Sequence, residues 1–75
     1  MWEYCSVVYL WKGRGFTQEI GFLYKDGQEI RQWEGKFWKD FLNQMGQEGW
    51  ELIAATELAQ SGNTVGIVAQ FKRSS

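Results

Sequence analysis

The chain has 75 residues, a net charge of −1, one cysteine and no histidine. That length supports one small domain. A lone cysteine excludes an internal disulfide and a zinc site, and interspersed charges of both signs argue against a general nucleic-acid binder. A domain this small buries only about 60% of the surface its unfolded chain exposes, so it needs a staple, and self-association is the one still open. Five Trp, five Phe and three Tyr supply a large apolar payload and exceed what one small core hides. No apolar run approaches the roughly 20 residues of a membrane span. The start, "MWEYCSVVYLW", lacks a basic region and alternates like a strand, so it does not read as a signal peptide. With a free cysteine, the expected location is the cytoplasm.

Trp2 to Trp11 is rich in Val, Tyr and Trp and reads as a strand. One parity carries Trp2, Tyr4, Val8 and Leu10; the other carries Cys5, Val7, Tyr9 and Trp11. Both are apolar, which predicts a central strand covered on both sides. "KGRG", Lys12 to Gly15, reads as a turn. Phe16 to Tyr24 is the second expected strand, with Phe16, Ile20, Phe22 and Tyr24 on one parity. Asp26-Gly27 is a two-residue hairpin signal, and Gln28 to Trp33 is the expected return strand. The tight turn sets Lys25 opposite Gln28 and Leu23 opposite Ile30, a register without one clean apolar face.

From Glu34 the period changes. Phe37, Phe41 and Met45 recur every four residues, joined by Trp38 and Leu42, which predicts an amphipathic helix. Its exit, "LNQMGQEGWEL", holds two glycines. Gly49 fits the left-handed position just past the cap, with Trp50 folding back over Met45 in the accompanying hydrophobic contact. Gly46 falls in the last turn, and close approach of helix to sheet is its expected compensation. Trp50 to Leu58 and Thr64 to Lys72 are the last two expected strands. A two-residue loop at Gly62-Asn63 sets Leu58 opposite Ile67 and Ala54 opposite Phe71, so the apolar parities coincide.

These residues resemble a known family. "WEY" near the start, the exit motif through Leu42, Asn43, Gly46, Glu48, Gly49, Trp50, Glu51 and Leu52, and the closing Phe71-Lys72-Arg73 are similar to the small bacterial domains catalogued as domain of unknown function 4177. The resemblance covers the first strand, the helix and the last two strands. The chain departs at Met45, where members usually carry Leu, and in the longer hairpin from Phe16 to Trp33. What the resemblance implies is a compact α+β unit with no established activity.

Candidate chemistry is sparse. Cys5 has no histidine base and sits in an apolar strand, so it reads as a core residue. Glu48 and Glu51 are separated by the cap; a cross-strand pair of Glu51 with Lys72 is plainer than a catalytic dyad. "KGRG" lacks the ending of a phosphate-binding loop. Tyr9 and Trp11, with Tyr24 and Trp33, offer a base-stacking platform beside Lys12 and Arg14, but the near-zero net charge favours core packing or a subunit interface.

The expectation is therefore an α+β domain spanning residues 1–75: an antiparallel sheet of about five strands with one helix on one face, ordered β-β-β-α-β-β. It is a non-enzymatic interaction module, without cofactor or metal, that homo-oligomerises through an aromatic sheet face at Val7, Tyr9 and Trp11. The alternative is a binding module that takes a small ligand or single-stranded nucleic acid on that face. Met45, Gly46, Gly49, Trp50 and Glu51 form the structural motif.

Overall fold

The computed structural model describes residues 1–12 and 18–74. The expected turn at "KGRG", from Gly13 on, and the start of the second expected strand at Phe16 and Thr17 lie outside the described residues. Strands β1 (Trp2–Trp11), β2 (Ile20–Lys25) and β3 (Gln28–Glu29) precede helix α1 (Trp38–Gln47), and β4 (Glu51–Gln60) and β5 (Asn63–Ser74) follow it. A short 3₁₀ helix, Arg31–Trp33, is interposed before α1. The five strands form one antiparallel sheet in the order β3-β2-β1-β5-β4. The architecture is α+β, with β1 at the centre.

The return strand is cut short. Lys25 pairs with Gln28 and Tyr24 with Glu29, across Asp26 (φ 51°) and Gly27 (φ 85°), the left-handed pair that a type I′ turn requires. After Ile30 donates to the Leu23 carbonyl at 2.8 Å the chain leaves the sheet. It returns farther along β2, where the Ile20 amide donates to the Lys36 carbonyl and Gly35 to that of Ile20, both at 2.8 Å. Lys36 and its neighbours thus do what the missing length of β3 would have done.

The second strand's parity also breaks. Leu10 pairs with Phe22 but Trp11 with Ile20, so Gly21 is an extra residue in a β-bulge. A Cβ there would sit 3.2 Å from the Leu10 carbonyl oxygen and 3.3 Å from that of Trp11, which explains the glycine. The bulge puts Ile20 and Leu23, of opposite parity, into the same core, while Phe22 and Tyr24 face the other way.

The core is Cys5, Val7, Tyr9, Ile20, Leu23, Trp38, Phe41, Met45, Ala69 and Phe71. Its centre is a run of rings. Tyr9 stacks on Trp38 at 4.6 Å between centroids, Trp38 on Phe41 at 5.4 Å, and Trp33 meets Phe41 edge-on at 5.3 Å. The helix begins later than its periodicity suggests: Phe37 precedes α1 and is 54% exposed, because Phe37 bridges to Glu19 rather than extending the apolar stripe.

The helix exit closes as a Schellman motif. The Trp50 amide donates to the Met45 carbonyl at 2.9 Å and the Gly49 amide to that of Gly46 at 3.0 Å, with Gly49 at φ 89°. Gly46 is a correction: a Cβ there would meet nothing within 4 Å, so no close approach to the sheet explains it. The β4–β5 turn is another. Gln60 pairs with Asn63, so the loop is Ser61-Gly62 and the pairing beside the turn shifts by two residues, which keeps parity; the irregularity between Leu58 and Ala59 takes back one, leaving a net slip of one. Leu58 then lies opposite Gly66, and Ala54 opposite Gln70. A one-residue slip moves a side chain to the other face, and Leu58 and Ala54 leave the core side for the opposite one.

Candidate interaction surface on the open face of the sheet

The expected interface residues lie on the wrong side. Val7 and Tyr9 are fully buried beneath α1, and Trp11 packs partly buried at the edge of the same core. Both parities of β1 are apolar, so alternation alone does not say which one the helix covers; the stacking of Tyr9 on Trp38 decides it. The uncovered parity is the even one.

Its composition follows from the pairings, which set side chains on one face in rows across the strands. Tyr4, Lys72 and Glu51 form one row; Ser6, Gln70 and Ala54 the next; then Tyr24, Val8, Val68 and Thr56; then Phe22, Leu10, Gly66 and Leu58. Trp2 flanks the first row. Tyr4 is 66% exposed, and Trp2 and Phe22 are each 51% exposed. The second row is polar, with Gln70 Nε2 donating to Ser6 Oγ at 3.1 Å. Lys72 is engaged on both sides: its Nζ lies 4.0 Å from Glu51 Oε2 and 4.3 Å from the Trp2 ring centroid. At the far end Leu10, Trp11, Phe22, Leu58, Ala59, Gln60 and Val65 line a mostly apolar cleft of about 440 Å³.

Gly66 shapes that end. A Cβ on it would overlap the Tyr9 carbonyl oxygen and lie 2.8 Å from Leu10 Cδ2. The Leu10 side chain therefore lies over the glycine, and the two strands approach closely.

The opposite end of the molecule gathers the residues that carry the family resemblance. Arg73 pairs with Glu3 Oε1 at 3.2 Å, donates to the Glu48 carbonyl at 3.1 Å and lies 4.3 Å over the Trp50 ring. Lys25 approaches the same ring at 5.6 Å. Arg73 thus satisfies a carbonyl at the helix C-terminus, where a cation is favoured, and clamps the exit to the sheet. These motif residues hold α1 in place. The Trp50 Nε1 donor is buried with no hydrogen-bond partner among the described residues.

Cys5 is buried in the core. Burial first, and the neighbouring Asp26 carboxylate second, push its thiol above the usual 9.0, the opposite of what a nucleophile requires. Glu48 and Glu51 do not converge: Glu48 accepts from Gln44 Nε2 at 2.9 Å on the helix, while Glu51 pairs with Lys72. Of the proposed stacking platform, Tyr9 and Trp33 are committed to core ring contacts, Lys12 lies 3.5 Å from Glu19, and Arg14 is outside the described residues. Tyr24 faces the open side, and Trp11, edge-on to Tyr9, lines the cleft. Among the described residues no helix is long and apolar enough to cross a membrane.

No family model, curated protein or solved structure matches the chain. The class that the fold defines is a small α+β domain with a one-sided helical layer.

Proposed function

We propose that the protein is a non-enzymatic, self-associating module whose subunits pack through the open sheet face, and that it belongs to the family it resembles. The observation that carries this is the uncovered row pattern: Trp2, Tyr4, Val8, Leu10, Phe22 and Tyr24 share a face on which no helix lies. Exposed apolar patches, here two that flank the polar Ser6–Gln70 row, usually serve recognition on a small protein. Four strands about 4.8 Å apart, each contributing roughly 28 Å of length, present roughly 500 Å² in projection. Side-chain relief brings this toward the roughly 800 Å² per partner of a standard interface. The face's charges are internally balanced, Lys72 against Glu51 and Arg31 against Glu29, so a second copy meets no net repulsion. That balance also disfavours single-stranded nucleic acid, whose binding depends on uncompensated cations. The buried free thiol of Cys5 fits a reducing compartment, which supports a cytoplasmic location.

The apolar cleft bounded by Leu10, Phe22 and Leu58 favours one second reading, a small apolar ligand, because its volume of about 440 Å³ falls in the range of ligand pockets.

Light scattering across a dilution series tests the first reading. A dimer or larger assembly that dissociates in the Phe22→Lys and Tyr4→Glu variants, with helical signal unchanged, supports it. Wild type that is monomeric at every concentration refutes it, and saturable binding of an apolar dye in the cleft by that monomer would favour the second.

A further inference from the structure

The open face is not the only unsatisfied surface. β4 is an edge strand of ten residues, Glu51–Gln60, and all but Leu58 are exposed. Edge strands present a row of unpaired amides and carbonyls that template further pairing. The sheet's other edge is managed: β3 has two residues, and β2 beyond it is satisfied by Ile30, Gly35 and Lys36. β4 carries no Lys, Arg or Pro; of the devices that blunt an edge it has two Glu and two irregularities, at Leu52/Ala54 and Leu58/Ala59, which leave a regular five-residue stretch between them.

We propose that β4 pairs antiparallel with β4 of a second copy, about a two-fold axis through Thr56, to make one continuous sheet. The occupant follows from the strand's own sequence. Its register shifts fall between Leu52 and Ala54 and between Leu58 and Ala59, leaving Ala54–Leu58 regular. That segment is centred on Thr56. Thr56 meets its own copy, Ala54 meets the partner's Leu58, and Ala55 meets the partner's Glu57. Side chains directly opposite in such a pair share a face, as the same parity requires. Thr opposite Thr is a favourable cross-strand pair, and no Glu stands directly opposite a Glu. Because only one long edge is open among the described residues, the contact is isologous and closes at two copies instead of growing into a fibre.

The pairing is independent of the open face. Ala55 and Glu57 lie on the helix side of the sheet, opposite Ala69 and Ile67, whereas Phe22 and Tyr4 lie on the other side. Five paired positions alone bury less than a standard interface, so the edge contact is the weaker of the two. If both form, edge-paired sheets stack face to face into a tetramer.

The charge at position 55 tests it. Ala55→Glu sets two like-charged pairs against Glu57 of the facing copies, and Ala55→Lys sets two opposite-charged pairs. Sedimentation equilibrium is run in a Phe22→Lys background, which removes the face contact. Ala55→Lys is expected to tighten the remaining association about tenfold, and Ala55→Glu to weaken it by a similar factor. Ala55→Glu combined with Glu57→Lys restores it. In hydrogen exchange, amides of Ala54–Leu58 gain protection as protein concentration rises. Association that ignores all three charge patterns, or a background variant that is monomeric at every concentration, overturns the edge pairing and leaves the face reading untouched. Association that follows the 55/57 charges while Phe22→Lys changes nothing in the wild-type assembly supports the edge and sinks the face.

Discussion

The two glycines of the helix exit make the sharpest test of the local structure. Gly49 holds φ 89° at the position where an L-residue pays about 1–2 kcal/mol to enter the left-handed region. Gly46 lies within α1, its added Cβ meets nothing within 4 Å, and an alanine there gains roughly 0.5–1 kcal/mol over glycine. Gly49→Ala should therefore destabilise while Gly46→Ala stabilises, with the two variants about 1.5–3 kcal/mol apart. For a domain of this size each kcal/mol shifts the midpoint by roughly 4–8 °C, so the thermal midpoints should differ by about 6–24 °C. Far-ultraviolet circular dichroism at one dilute concentration is the assay, because association raises apparent stability by mass action. Equal midpoints, or a Gly46→Ala that loses stability, would show that the Gly49 cap or the free flank of Gly46 is misread.

Other expectations are equally direct. Tyr9→Glu should abolish folding, because it buries a carboxylate against Trp38, whereas Phe22→Lys should leave circular dichroism and midpoint nearly unchanged at dilute concentration. Gly66→Ala should cost about 3 kcal/mol or more, well beyond Gly21→Ala, as read from urea midpoints, because a backbone carbonyl blocks the new methyl. Burial raises the Tyr9 phenol above its usual 10.0, and burial with Asp26 raises the Cys5 thiol above 9.0. Both groups hold their protons longer in the folded chain, so their stability contribution is complete below pH 9.0 and is lost as pH rises through the folded values. A denaturation midpoint that stays flat across that alkaline range would contradict the burial of both. Cys5 should label with a thiol reagent only at the rate at which the chain opens; fast labelling of the native protein would place it at the surface.

Much of this architecture was legible in the residues. The Val- and aromatic-rich run of β1, the Asp26-Gly27 turn, the change of period before α1 and the Gly49-Trp50 exit are local signals. Each depends on backbone sterics or on spacing within one element, which the sequence carries directly. The site was legible only as a choice. β1 offers two apolar parities, Trp2, Tyr4, Val8 and Leu10 against Cys5, Val7, Tyr9 and Trp11, and nothing in the strand itself says which one a distant helix will cover. The polar alternation of β5, with Ala69 and Phe71 against Gln70 and Lys72, marks its buried side, but linking that side to β1 requires the cross-strand register.

The bulges show the same division. Gly21 is visible as a glycine, yet only the pairing of Leu10 with Phe22 and Trp11 with Ile20 reveals that it turns Phe22 outward. The turn at Ser61-Gly62 shifts the pairing by two residues and keeps parity, whereas the irregularity between Leu58 and Ala59 makes the shift odd and sends Leu58 and Ala54 to the open face; the local sequence marks neither, since Gly62-Asn63 is an equally good turn. The sequence by itself determined the long strands, the helix, their order and the cap, because these are governed by interactions a few residues long; the return strand expected over Gln28 to Trp33 gives way to a 3₁₀ helix after Glu29. Which face lies open, and which strand forms the bare edge, was decided by the tertiary structure, because both depend on register and strand order among segments as far apart as Trp2 and Ser74.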